Sequence, residues 1–339
     1  MGGELNRRAF LKALAVAGGG LAAGLPWERE AMAALKVRMG ITGGYETFWA
    51  YLNHEKERLL VPLGYDVEFN VMQNPMIVQG VVSGGLEVGT FLFPLVGNLR
   101  DKGVPGRFFL PIAWMFEGYV LAVPKDSPFK TVTDLKGKRL ASRPPEDPST
   151  WFGVVLLWKN YGLRIEKDFD LQPTMLVPQI LESGKADAGI LAAGQWAALK
   201  QTGKYRALTT VADEWKKFSP SKRVLLYGGY AAPQTFLDKN QKFVEDLIRL
   251  NYEAFRQYKK DKATILNKVA AQAKQTAAEA ETVAYNFGLD HVEPERMYID
   301  PQDVKDSQVF FDLFAEYGLL KQRYNADDLF YISPKRPSK

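Results

Sequence analysis

Offset by one hundred residues, the chain repeats a short pattern. Ser83-Gly84-Gly85-Leu86-Glu87-Val88-Gly89 recurs as Ser183-Gly184-Lys185-Ala186-Asp187-Ala188-Gly189. In both copies the residue types read as a helix end, a glycine stop, an acidic residue and a buried strand. Each copy follows an apolar helical run opened by a proline, Pro75-Met76-Ile77-Val78 and Pro178-Gln179-Ile180-Leu181. Two similar α/β units are therefore expected. In open α/β sheets ligands bind beyond the carboxyl ends of the strands, so two such units face to face predict a cleft. The strand ends that reach it are Gly89-Thr90-Phe91 and Gly189-Ile190-Leu191-Ala192.

The first 33 residues have a different character. Asn6-Arg7-Arg8-Ala9-Phe10-Leu11-Lys12 precedes a mildly apolar stretch, Ala13 to Leu25, interrupted by Gly18, Gly19, Gly20 and Gly24. The pattern is similar to a twin-arginine export signal, and Ala31-Met32-Ala33 predicts cleavage between Ala33 and Ala34. A spanning helix needs about 20 apolar residues, more than this stretch offers. Residues 1–33 carry four basic and three acidic residues, so their removal shifts the formal net charge from +5 to +4. No Lys/Arg cluster is interleaved with aromatics, which argues against nucleic-acid binding. Cysteine is absent. That excludes a lipid-anchoring cysteine, a disulfide framework and any Cys-based zinc or redox site. His54 and His291 stand alone without ligand spacing, and no metal, cofactor or catalytic residue is expected.

Along the mature stretch, Lys36 to Ile41 predicts a strand running into the loop Thr42-Gly43-Gly44-Tyr45 and a helix from near Glu46. Gly64 to Val71 predicts a second strand, turned by Gln73-Asn74-Pro75 into a second helix. Phe109 to Trp114 and Gly118 to Val123 read as two further buried strands of the same lobe. A polar crossing follows at Pro124-Lys125-Asp126-Ser127-Pro128-Phe129. Beyond it, Thr133 to Ser142 predicts a turn and strand, Arg143 to Pro148 an irregular loop, and Ser149-Thr150 the cap of an apolar helix Trp151–Tyr161 ended by Gly162. A return crossing is read through Arg223 to Tyr230. The expected division is 34–123 with 227–339 as lobe I, and 124–226 as lobe II, joined by a two-segment hinge. From Asn240 onward the pattern is helical, ending in a helix opened by Asp300-Pro301 and closed at Gly318, with these helices buttressing lobe I.

The order of these pieces, with Ser127-Pro128-Phe129-Lys130-Thr131-Val132-Thr133-Asp134-Leu135-Lys136-Gly137-Lys138 and Leu181-Glu182-Ser183-Gly184-Lys185-Ala186-Asp187-Ala188, resembles the periplasmic solute-binding proteins of ABC transporters. The resemblance is to the sulfonate, taurine and nitrate group, related to thiamine-precursor-binding proteins, and covers residues 36 to about 325. It implies a two-lobed type II periplasmic binding fold. It also implies a monomer that hands a small molecule to a membrane permease, after export by the Tat machinery.

Candidate ligand-binding residues follow from the strand-end rule. In lobe I these are Thr42, Gly43, Gly44, Tyr45, Asn74, Thr90 and Phe91, offering hydroxyls, an amide and backbone N–H groups, with Gln73 as a further possibility. In lobe II, Arg143, Ser149 and Thr150 join a cation to a helix start, which suits an oxyanion, although Glu146 or Asp147 could instead pair with Arg143. Ala192 and Gln195 stand at the second strand end. The aromatics Trp114, Trp151, Trp196 and Tyr227 are read as walls for a flat or extended organic ligand, with Tyr230 beside them.

The leading expectation is a periplasmic binding protein for a small organic anion, sulfonate- or carboxylate-like and open to an aromatic body. A nitrogen-heterocycle binder of the pyrimidine or thiamine-precursor kind and a sensor partner are alternatives. Enzymes that share the fold, such as thiamine-pyrimidine synthases, resemble this group but use a Cys-rich iron site. The absence of cysteine argues against that chemistry here.

Overall fold

The structure is a computed structural model that describes residues 34–219 and 221–335. The expected export signal and its cleavage point lie outside the described residues. Among those described, the strands assemble into two five-stranded sheets of identical plan. The first has the order β2-β1-β3-β10-β4, from Leu35–Ile41 (β1), Tyr65–Val71 (β2), Val88–Leu92 (β3), Gly106–Met115 (β4) and Leu225–Pro233 (β10). The second has the order β7-β6-β8-β5-β9, from Tyr119–Pro124 (β5), Arg139–Ser142 (β6), Asp170–Pro173 (β7), Ala188–Ala192 (β8) and Tyr205–Thr210 (β9). In each sheet three parallel strands are followed by one antiparallel strand that has just crossed from the other sheet, β10 or β5.

The hundred-residue echo has a physical cause in this plan. Glu87 accepts the backbone N–H of Arg38 at 2.7 Å and its guanidinium at 2.5 and 3.1 Å. Asp187 does the same for Arg139, at 3.0 Å from the backbone and 2.7 and 3.1 Å from the guanidinium. The acid thus pins the turn after a crossover helix to the strand beside the central one, β1 or β6. Gly84 and Gly184 hold φ of +74° and +68° at the turn before it, where a side chain would be strained. Gly89 and Gly189 serve close packing instead. A Cβ there would stand 2.5 Å from Ile77 Cγ2 or 2.7 Å from Leu181 Cδ1, the apolar faces of helices Asn74–Val82 and Val177–Glu182.

Two expectations about the lobes need correction. Gly118 to Val123, read as part of lobe I, belongs to the second sheet, because β5 pairs with β8 and β9. The crossing is therefore the short segment Phe116–Gly118 rather than Pro124–Phe129. A strand buried on both faces is an uninterrupted apolar run whichever sheet it joins, so its residues carry no address. The return crossing enters β10 through Ser221–Val224. Secondly, the C-terminal helices do not all stay on lobe I. Gln241–Lys260, Lys262–Ala273 and Ala277–Asn286 pack together beside helix Glu46–His54. Helix Pro301–Tyr317, in contrast, reaches lobe II. Its Phe310 and Phe314 lie 5.0 and 5.2 Å from Phe152 of helix Trp151–Tyr161. Phe152 also meets Phe93 at 5.5 Å and Tyr227 at 5.6 Å, so one aromatic block joins the two sheets.

That bridging helix is well anchored. Asp300 caps it by accepting from the Gln302 and Asp303 N–H groups at 2.9 Å each, and Gly318 closes it with φ +97°. The Asp300 carboxylate also takes a two-pronged bond from Arg223 in the return crossing, at 2.9 and 2.8 Å. Burial works to raise its pKa, yet these donors hold it down at about 2.

Candidate functional site

Between the sheets lies a cavity of about 490 Å³. Its lining comes mainly from the loops just past the strand ends, and of the strand-end residues expected to reach it only Ala192 does. From the first sheet come Thr42, Gly43 and Tyr45 after β1, Gln73, Asn74 and Pro75 after β2, and Leu92 at the end of β3. The second sheet supplies Arg143, Asp147, Pro148 and Ser149 after β6, Met175 after β7, and Ala192 and Ala193 at the end of β8. Met115, Gly118, Tyr119 and Tyr227 add the two crossings, and Asn286 and Phe287 the end of a C-terminal helix.

One wall is aromatic. Phe287 stacks on Tyr45, with ring centroids 4.6 Å apart and planes at 22°, and faces Tyr227 at 6.3 Å and 25°. Tyr119 stands beside Tyr227, near Arg143 and Ser149. Burial raises the pKa of the Tyr45, Tyr119 and Tyr227 phenols, so all three stay neutral. The Tyr45 hydroxyl has no hydrogen-bond partner, nor has Asn286 Oδ1. The surface beside Tyr119 is polar. Arg143 Nη1 donates to Asp147 Oδ2 at 3.0 Å, so of the two acids in the loop Asp147 is the one paired with it. Asp147 Oδ1 accepts from the Ser149 N–H at 3.0 Å and hydroxyl at 2.7 Å. Burial opposes the Arg143 charge, but its surroundings, with the hydrogen bond to the Asp147 carboxylate among them, raise its pKa overall. Arg143 Nε, also buried, has no partner. Across the cleft the Thr42 hydroxyl donates to Asn74 Oδ1 at 2.6 Å, and the Thr42 N–H donates to Thr90 Oγ1 at 2.8 Å.

The cavity therefore brings together Thr42, Gly43, Tyr45, Asn74, Arg143, Ser149, Ala192 and Tyr227 of the expected set. The others stand behind it. Thr90 is fully buried and holds the Thr42 loop, Phe91 packs in the core, and Gly44 makes the turn at φ +100°. Thr150 does not cap its helix with its hydroxyl, which donates back to the Asp147 carbonyl at 2.9 Å. Gln195 Oε1 accepts the Ala192 N–H at 3.1 Å and its amide turns to the Met175 carbonyl. The three expected tryptophans are interior. Trp114 stacks on Phe255 at 5.9 Å, Trp151 packs on Phe314 and donates to the Pro145 carbonyl at 3.2 Å, and Trp196 fills the small core under the second sheet. Tyr230 is likewise fully buried. Indoles are large enough to fill the space between helix and sheet, and the elements at these positions face inward. Sequence reading missed Tyr119 as a wall because β5 was assigned to the wrong lobe. It missed Asn286 and Phe287 because only tertiary packing carries a helix end 240 residues from the first loop into the cleft.

Two contacts bring the lobes together around the cavity. Tyr285 donates to Glu117 Oε2 in the first crossing at 2.7 Å. Asn286 lies against Gly194, where a Cβ would stand 2.8 Å from Nδ2.

A family model described as the periplasmic substrate-binding protein of phosphonate ABC transporters matches residues 42–220, just over half of the chain. The chain belongs to this family. It is the periplasmic substrate-binding component of an ABC transporter, a class that binds small molecules and delivers them to a permease. The fold is shared with solved structures. The aliphatic sulphonate binding protein SsuA of Escherichia coli superposes with a TM-score of 0.69 at 17% identity, over 87% of this chain and 97% of that one. The alkanesulfonate-binding SsuA of Xanthomonas axonopodis pv. citri, solved bound to MOPS, gives 0.62 at 19% identity, over 87% and 98%. A curated relative, the ATP phosphoribosyltransferase of Thermodesulfovibrio yellowstonii, is 32% identical over 118 residues. This chain spans 34% of that relative's length.

Proposed function

We propose that the cavity binds an organic oxyanion, a sulfonate, phosphonate or carboxylate, whose flat or apolar body lies against the Tyr45–Phe287–Tyr227 wall. One observation carries this reading: Arg143 is held by Asp147 through Nη1 while its buried Nε has no partner among the described residues. An unmet buried donor costs on the order of 1–3 kcal/mol, and the Nε edge of a guanidinium suits an oxyanion in a two-pronged grip. The family description and the sulfonate-binding neighbours support the same chemistry. A heterocyclic ligand is favoured by a separate observation, the unpartnered Asn286 Oδ1 beside the aromatic wall, which would accept from a ring N–H. The protein works as a monomer that binds without transforming its ligand, and the two sheets close about the segments Phe116–Gly118 and Ser221–Val224. Its first 33 residues act as a twin-arginine signal cleaved after Ala33.

Calorimetry of the purified protein against benzenesulfonate, phenylphosphonate, benzoate, taurine and a pyrimidine tests the assignment. Binding of the aryl oxyanions is expected, with loss of at least tenfold in affinity for Arg143→Ala. Binding of the pyrimidine alone, undisturbed in Arg143→Ala, would replace the oxyanion reading with the heterocyclic one.

A further inference from the structure

Asp147 does more than steady Arg143. Three hydrogen bonds hold its carboxylate, from Arg143 Nη1 at 3.0 Å and from the Ser149 N–H and hydroxyl at 3.0 and 2.7 Å. Both oxygens are engaged, so swinging away would break all three bonds, and few acceptor sites remain for a ligand proton. Among the described residues lining the cavity, Arg143 carries the sole cation and Asp147 the sole carboxylate. Formally the two charges cancel. A singly charged ligand can still gain from the Nε edge at short range. A second negative charge on the same head group finds no further cation, and the carboxylate offsets the attraction of Arg143 for it, so the cost of desolvating it goes uncompensated.

We propose that Asp147 sets the ligand's charge: the site takes a singly charged oxyanion and rejects a doubly charged one of the same shape. This rests on the oxyanion reading above and refines it. The expected size follows from Coulomb's law. At about 6 Å and an effective dielectric of about 20 the carboxylate's own contribution, which offsets the attraction of Arg143 for the second charge, corresponds to a change in an equilibrium on the order of 100-fold. Relaxation and ions in the open cleft reduce this, and roughly tenfold discrimination is the part that should survive.

Benzenesulfonate and phenylphosphonate share one body and differ in charge, because the phosphonate loses its second proton near neutrality, as phosphate esters do at about 6. The groups facing Asp147 are Arg143, Ser149 and, across the cavity, Tyr119 and Tyr227. The lining includes no histidine, so a pH dependence near neutrality belongs to the ligand. Calorimetry of the full chain between pH 5.5 and 8.5 should show benzenesulfonate affinity unchanged and phenylphosphonate affinity falling at least tenfold as it becomes a dianion. In Asp147→Asn that fall should disappear, with the phosphonate-to-sulfonate affinity ratio at pH 8.5 rising at least tenfold. A residue that merely positions Arg143 would weaken both ligands alike and leave the ratio unmoved. Equal pH profiles for the two ligands in the unsubstituted protein overturn the proposal, without reliance on any variant. If neither aryl anion binds at any pH, the oxyanion reading itself has failed, and the charge rule with it.

Discussion

Closure of the two lobes depends on a position with no side chain. Gly194 opens helix Ala193–Gln201 of the second lobe, and Asn286 ends helix Ala277–Asn286 on the first. In Gly194→Ala the new methyl would stand 2.8 Å from Asn286 Nδ2 and 3.0 Å from Oδ1, inside van der Waals contact by roughly half an ångström. Overpacking of this kind typically costs about 1–3 kcal/mol. Within the isolated lobe the same change is favourable, since alanine is the better helix former by about 1 kcal/mol. The penalty therefore falls on the closed state alone. Ligand affinity should drop about 5- to 150-fold, the population shift that such an energy implies. Calorimetry with benzenesulfonate measures this, and the ligand-free melting temperature should hold or rise. Small-angle scattering should show less compaction on ligand addition than in the unsubstituted protein. Unchanged affinity, or a lower melting temperature without ligand, would refute the reasoning, because the methyl would then be accommodated or would clash within its own lobe.

Three further outcomes follow from the same structure. Phe287→Ala removes the ring stacked on Tyr45 and should weaken benzenesulfonate by about tenfold while leaving methanesulfonate within about twofold, measured by calorimetry, since an aromatic pair adds about 0.5–1.5 kcal/mol beyond area burial. Asp300, whose folded pKa is depressed to about 2, contributes stability that is present above its unfolded value near 4 and lost as pH falls through 2. After allowance for its partial exposure this amounts to about 1–2 kcal/mol, so Asp300→Asn should be less stable at pH 7 and should lose less between pH 4 and 2 in chemical denaturation. Arg7→Lys combined with Arg8→Lys should leave the precursor in the cytoplasm on cell fractionation, and export at the normal level would remove the twin-arginine assignment.

Local chemistry was legible residue by residue. Asp300, Pro301 and Gly318 mark a helix by what each does to the backbone at its own position, and the structure holds Pro301–Tyr317 between them. Thr42, Asn74 and Arg143 follow strands that the sequence marked, Ala192 ends another, and all four reach the cavity. Trp151 and Trp196 looked equally exposed by that rule. Which way a large ring faces, however, depends on what lies across from it, and both found core partners.

By itself, the sequence determined the repeated unit. A glycine that must turn, an acid that must pin its strand and a glycine that must admit a helix are each local demands, and they recur at Gly84, Glu87 and Gly89 as at Gly184, Asp187 and Gly189. Tertiary structure alone decided which sheet β5 joins, that Phe310 and Phe314 bridge to Phe152, and that Asn286 and Phe287 complete the cavity wall. The reason is physical. Apolar burial is non-directional and fits many partners equally well, so the choice among them rests on the packing of the whole chain.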